Sequence, residues 1–137
     1  MTETTLPNPV PPITPDTTEF WEATKRGELL LQRCTSCQSV IWYPRMMCPE
    51  CSGTSLEWFT GSGKGEIYSW TKTRKGLGDY AKAGPFILAY VQLEEGPKVM
   101  TNIVDWTDED LVIGKPVEVA FTPTEDGTAL PRFRPAK

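Results

Sequence analysis

Cys34-Thr35-Ser36-Cys37, then ten residues, then Cys48-Pro49-Glu50-Cys51: these two Cys-x2-Cys pairs are the most informative stretch of the 137-residue chain. Two such pairs at this separation place four sulfurs at the tips of facing hairpins, where tetrahedral coordination of one ion is within reach. Zn²⁺ suits four thiolates, and a closed shell of four sulfurs leaves no position for a substrate, so the expected role is structural. Iron is the alternative occupant of the same geometry, and the residues do not choose between the two metals. A disulfide reading conflicts with a reducing compartment. A redox pair would stand alone beside a βαβ pattern, which is missing here.

Short apolar runs flank the cysteines. ELLLQR (28–33) leads into the first pair, VIWY (40–43) lies between the pairs, and LEWF (56–59) follows the second. Each reads as a strand of a small rubredoxin-like zinc ribbon. Trp42, Tyr43 and Pro44 at the ribbon's centre either pack on the metal site or project outward. Upstream, Asp16 or Thr17 caps a helix over residues 18–26, with Gly27 as its stop. Phe20, Trp21 and Thr24 share one face of that helix, to be covered either by this chain's own core or by another subunit. Before the helix, five prolines in residues 1–16 predict an extended arm, either a free tail or a strap along a partner.

Gly61-Ser62-Gly63-Lys64-Gly65 reads as a flexible linker and a module boundary. It is not a phosphate loop, because Trp58 stands where that motif needs its first Gly and Gly65 where it needs Ser or Thr. Beyond it every signal is β: residues 66–72, 86–93, 98–106 and 116–121, with a weak fifth strand at 130–134 whose prolines suit a sheet edge. Glu95-Gly96-Pro97-Lys98 is a hairpin turn. Asp108, Glu109 and Asp110 begin one helical turn rather than a metal cluster. Five strands with a short helix between the third and fourth match an OB-fold barrel. The expected organisation is an arm over 1–16, helix and zinc ribbon over 17–60, and an OB-fold barrel over 61–137.

Net charge is −4 and histidine is absent. An acidic chain is not drawn to nucleic acid as a whole. Without His, no Ser-His or Cys-His nucleophile pair can be assembled, so no catalytic residues are expected in this chain. No apolar run approaches the roughly 20 residues of a membrane helix, and the first residues do not read as a secretory signal. A cytoplasmic address is the default expectation. The charge is uneven: residues 64–82 hold five basic and two acidic residues, and residues 94–126 hold nine acidic and two basic. Lys72, Arg74 and Lys75 therefore form either a solvated loop or a cradle for phosphates or an acidic partner.

Further stretches carry a resemblance. Phe20-Trp21-Glu22, Leu31-Gln32-Arg33-Cys34-Thr35-Ser36-Cys37, Tyr43-Pro44-Arg45 and Cys48-Pro49-Glu50-Cys51 cover the first half. Gly65-Glu66-Ile67-Tyr68-Ser69-Trp70-Thr71, Ala89-Tyr90-Val91-Gln92-Leu93-Glu94-Glu95-Gly96-Pro97, Gly114-Lys115-Pro116-Val117-Glu118-Val119 and Leu130-Pro131-Arg132-Phe133 cover the second. As an ensemble over residues 17–135 the chain is similar to the zinc-ribbon plus OB-fold family long catalogued as a domain of unknown function. The resemblance implies a non-catalytic subunit that associates with a thiolase-fold enzyme acting on acyl-CoA thioesters. It implies an aldolase, lyase or acyltransferase complex, including aldolases that shorten steroid side chains. The absence of a fused hydratase suggests a separate subunit. An alternative is a free-standing acyl-CoA-binding module, with Lys72, Arg74 and Lys75 at the CoA phosphates and Tyr68 or Trp70 near the adenine. A single-stranded nucleic-acid module is the remaining reading of the architecture.

Overall fold

The computed structural model describes residues 6–137; the first five residues of the expected arm lie outside the described residues. One short helix, a three-stranded sheet and a closed five-stranded barrel follow one another along the chain. The expected mainly β fold, with a ribbon before an OB-type barrel, is what forms.

Helix α1 spans Thr18–Thr24. It is shorter than the predicted 18–26 because its last turn tightens: Lys25, Arg26 and Gly27 donate backbone N–H bonds to Glu22, Ala23 and Thr24. Gly27 then turns the chain at φ 75°, a left-handed conformation that Gly adopts without a Cβ penalty. Strands β1 (Leu30–Cys34), β2 (Val40–Ile41) and β3 (Leu56–Thr60) form the ribbon sheet in the order β2-β1-β3, all antiparallel.

β2 stops at Ile41, short of the predicted Tyr43. The buried Gln32 side chain grips the next segment instead, donating to the Arg45 carbonyl at 2.9 Å and accepting from the Arg45 N–H at 2.9 Å. Trp42 and Tyr43 neither pack on the metal site nor point freely outward. Their rings lie 5.3 and 5.7 Å from the Phe20 ring, edge to face, and the Tyr43 hydroxyl accepts the Trp21 indole N–H at 2.9 Å. The aromatic face of α1 is thus covered by this chain, with Phe20, Trp21, Ala23 and Thr24 buried.

The barrel strands are β4 (Lys64–Thr73), β5 (Phe86–Leu93), β6 (Lys98–Ile103), β7 (Pro116–Pro123) and β8 (Ala129–Pro135). They close in the order β4-β5-β6-β8-β7, with β4 pairing back to β7. β8 is not an edge strand as its prolines suggested: it pairs antiparallel with β7 along its length and parallel with β6 through Ile103 and Phe133. β6 ends three residues before Trp106, because Asp105 takes φ 53° and Trp106 turns into the core. A bulge at Tyr68 shifts the β4–β5 register between Ile67 and Ser69.

No flexible linker separates the two parts. The Gly61 N–H bonds the Leu29 carbonyl, the Gly63 carbonyl accepts from Val119, and Lys64 and Gly65 already belong to β4. A Cβ on Gly65 would sit 2.5 Å from the Gln92 carbonyl oxygen, so the strand crossing requires glycine there. One buried cluster runs through both parts and includes Phe20 and Leu31 from the ribbon side with Ile67, Val91 and Phe133 from the barrel. Burying side chains of this size is worth roughly 1.5–3 kcal/mol each.

Part of the proline-rich arm is held on the barrel. Leu6 is buried with Ala83 and Phe86. Arg132 donates to the Pro7 carbonyl at 2.6 Å and to Asn8 Oδ1 at 2.8 Å.

Candidate functional site

The two Cys-x2-Cys knuckles are copies of one backbone device. Gln38 N–H bonds the Cys34 carbonyl at 2.8 Å, and Ser52 N–H bonds the Cys48 carbonyl at 2.9 Å. Cys34 N–H in turn reaches the Ser39 carbonyl, and Cys48 N–H the Gly53 carbonyl. Each knuckle closes through a left-handed residue, Gln38 at φ 66° and Ser52 at φ 65°, although neither is glycine. A tight turn around a metal demands this conformation, and the surrounding bonds hold it in place.

The four sulfurs of Cys34, Cys37, Cys48 and Cys51 lie within 4.8 Å of one another. Two of the separations, Cys34–Cys51 and Cys37–Cys48, are 3.6 Å. Tetrahedral ligands about 2.3 Å from a shared ion stand roughly 3.8 Å apart, so the donor set fits one four-coordinate metal. Backbone N–H groups of Glu50 and Gly53 point at the Cys48 and Cys51 sulfurs, each at 3.4 Å. Cys34 and Cys48 are buried, while Cys37 and Cys51 lie at the surface.

Charge explains why the cluster calls for a cation. The Ser39 hydroxyl, 3.1 Å away, and then the Ser39 N–H hold the Cys37 thiol down to about 6. At Cys51 the Gly53 N–H favours the thiolate, but the crowd of neighbouring sulfurs led by Cys34 outweighs it and pushes the thiol up to about 12. Four thiolates this close do not ionise together unless a cation sits among them. The site can hold a metal. A shell filled by four cysteines offers no open position for a reaction. Gln32, Ser39 and the N–H groups of Glu50 and Gly53 support the centre without having been singled out in the sequence. Gln32 alone left a trace there, as a polar residue inside an apolar strand.

The residues expected at CoA do not converge on one pocket. Lys72 is turned inward: it is register-paired with the buried Ile87, its Nζ lies 4.9 Å over the Trp106 ring, and it bonds Asp108 at 2.9 Å. That contact, first through the hydrogen bond and then through charge, holds the Asp108 carboxyl below its usual range. Arg74 and Lys75 are exposed in the loop after β4. Tyr68 sits on the bulge with Lys98 Nζ 4.6 Å over its ring. Six residues of extended chain separate Tyr68 from Arg74, roughly 20 Å. Trp70 is opposite Ala89 and partly exposed. The acidic run behaves as capping: Asp110 accepts from the Thr107 N–H at 2.8 Å and pairs with Lys115 at 3.2 Å. Among the described residues no helix is long and apolar enough to cross a membrane.

A four-cysteine ribbon joined through one core to a closed OB-type barrel defines the class of protein. Comparison with known proteins narrows it. Residues 21–57 match the ChsH2 rubredoxin-like zinc ribbon domain, and residues 58–122 match the ChsH2 C-terminal OB-fold domain. A scaffold protein with a DUF35 domain from Methanothermobacter thermautotrophicus is 35% identical over 98 residues, covering 71% of this chain and 74% of that protein. The chain belongs to the ChsH2/DUF35 family of zinc-ribbon and OB-fold proteins. A probable enoyl-CoA hydratase alpha subunit from Thermomonospora curvata is 31% identical over 128 residues, or 93% of this chain; the chain spans 40% of that protein's length. Among solved structures, a chain of the Ltp2-ChsH2(DUF35) aldolase superposes with a TM-score of 0.80 at 30% identity, covering 93% of this chain and 100% of that one.

Proposed function

We propose that this chain is a non-catalytic scaffold subunit of a thiolase-fold enzyme acting on acyl-CoA thioesters, in an aldolase or lyase complex. The observation that carries the reading is the end-to-end likeness to a chain of the Ltp2-ChsH2(DUF35) aldolase, across ribbon and barrel together. The closed four-sulfur shell and the lack of histidine fit a subunit whose partner does the chemistry. The metal is zinc, with the folding role that four thiolates give it. The substrate is a CoA thioester of a steroid side chain.

Arg74 and Lys75 meet the CoA phosphates at the edge of the complex, and Tyr68 and Trp70 supply aromatic surface on the same strand. Lys72 contributes by exchanging Asp108 for phosphate. Nucleic acid is disfavoured, because the outward positions of β5 and β6 bear one cation, Lys98, which already stacks on Tyr68.

The test is co-expression with the thiolase-fold enzyme encoded nearest to it, followed by size exclusion with mass measurement. A stable hetero-oligomer with acyl-CoA aldolase activity is the expected result. Separate elution and an unchanged partner activity would sink the reading. In that case calorimetry of the isolated chain with acetyl-CoA decides whether it is a free-standing CoA-binding module.

A further inference from the structure

Across β4, β5 and β6 the outward rows read Ser69–Tyr90–Met100 and Thr71–Leu88–Asn102. In an OB barrel the outer face of the second and third strands, with the loop after the first, is where ligands seat. Here that face is apolar: Leu88 and Tyr90 are exposed, Met100 is 57% exposed, and Leu77 in the adjoining loop is 88% exposed. It continues without a break into a cleft of about 480 Å³ between ribbon and barrel, walled by Trp42, Tyr43, Met100 and Arg132. A third depression shares Leu88 and Asn102 and carries Lys75.

Charge says what kind of surface covers this tract. The chain has 18 acidic residues, yet among the described residues no carboxylate lines any of these three adjoining depressions, and the cations lining them are Lys75 and Arg132. Arg132 is 5% exposed and donates its hydrogen bonds to the neutral Pro7 carbonyl and Asn8 amide oxygen. Among the described residues no carboxylate reaches it within ion-pair distance. A nearly buried cation without a counter-charge is costly, and an incoming carboxylate relieves that cost. A second copy of this chain does not supply one, since a two-fold contact sets the same cation-only patch against itself.

We infer that this tract is the seat of the acyl-CoA enzyme subunit, which presents an apolar segment beside a carboxylate that faces Arg132. The inference rests on the subunit reading above and adds the surface and the chemistry of its complement. Leu88, Tyr90 and Met100 provide the apolar centre of the contact, and the cations orient the approach.

The experiment measures binding of the full, metal-loaded chain to the thiolase-fold enzyme encoded beside it. Met100→Glu and Leu88→Glu are each expected to raise Kd by at least about 30-fold, the loss typical of a central apolar anchor. Lys75→Glu is expected to slow association several-fold and to reduce its salt dependence. Ile113→Glu, 74% exposed and outside the tract, is the control expected to bind as the unaltered chain does. Metal content and circular dichroism establish that each variant is folded, and a variant that fails is replaced by the milder Met100→Lys or Tyr90→Lys. Tract variants that bind normally, while the unaltered chain binds, overturn the docking surface and leave the subunit reading standing. No binding by the unaltered chain overturns both. A homodimer, or tight salt-dependent binding of single-stranded DNA, lost in Met100→Glu but not in Ile113→Glu would assign the face to that occupant and overturn the proposal.

Discussion

At the tip of the ribbon the buried side chains are Cys34, Ile41 and Cys48, with Leu56 packed against them. Inside the barrel Ile67, Ile87, Val91, Val99, Ile103, Val117 and Phe133 are all buried and belong to one cluster. Two of the three residues that would be the ribbon tip's core belong to the four-cysteine cluster. The barrel encloses enough apolar surface to hold itself, and the tip does not. Between them lies a seam, built from Phe20, Trp21, Trp42 and Tyr43, that belongs to both. A coordination shell and an apolar core thus do the same work at opposite ends of one short chain.

The sharpest way to break this comparison is to remove the metal. Cys48→Ser, or a strong chelator, forfeits an apparent binding energy of order 10 kcal/mol. The knuckle amides of Cys34, Gln38, Cys48 and Ser52 are expected to lose hydrogen-exchange protection while the β4–β5 and β7–β8 ladders keep theirs. Barrel amides that open together with the knuckles would show instead that the seam couples the halves into one cooperative unit.

The seam itself comes next. Phe20→Ala empties a fully buried site touched by the rings of Trp21, Trp42 and Tyr43 and should cost about 3–5 kcal/mol. Thermal unfolding followed separately at the metal site and in the barrel is expected to shift for both. A shift at the metal site alone would mean that the halves are stabilised independently.

The smallest effect is a pH dependence confined to the barrel's β7–β8 turn. The Thr124 hydroxyl, with the Thr128 hydroxyl and N–H, holds the Asp126 carboxyl at about 2. Its ordinary unfolded value is near ~3.9. The folded value is the lower one, so this contribution is fully present above pH ~4 and disappears as pH falls through about 2. Asp126→Asn should remove that part of the acid slope and lower stability at neutral pH, read from tryptophan fluorescence across an acid titration. An unchanged slope would remove the turn from the account.

How well these regions could be read beforehand also differs. The four-cysteine cluster was legible because cysteine spacing is a one-dimensional signal that maps directly onto the geometry of two facing knuckles. Barrel strands were legible from β-rich runs such as FILAYVQL, which became β5 with the same bounds. The register was not legible. Lys72 reads as a loop cation in the sequence, but the bulge at Tyr68 places it opposite Ile87 and over Trp106. The prolines of β8 signalled an edge because local propensity carries no record of the long-range closure that gives the strand two neighbours. Gly61–Gly65 reads as a flexible linker from composition alone, whereas the structure uses glycine for a close crossing of backbones at Gly65. Local chemistry was visible; what depended on distant partners was not.

The grip of Arg132 on Pro7 and Asn8 ties together positions 125 and 124 residues apart. A contact that closes so long a loop gains nothing until the intervening chain is in place. This part of the arm is therefore made well before the strand that holds it, and it docks only after β8 has sealed the barrel. Its docking is a record that folding has finished.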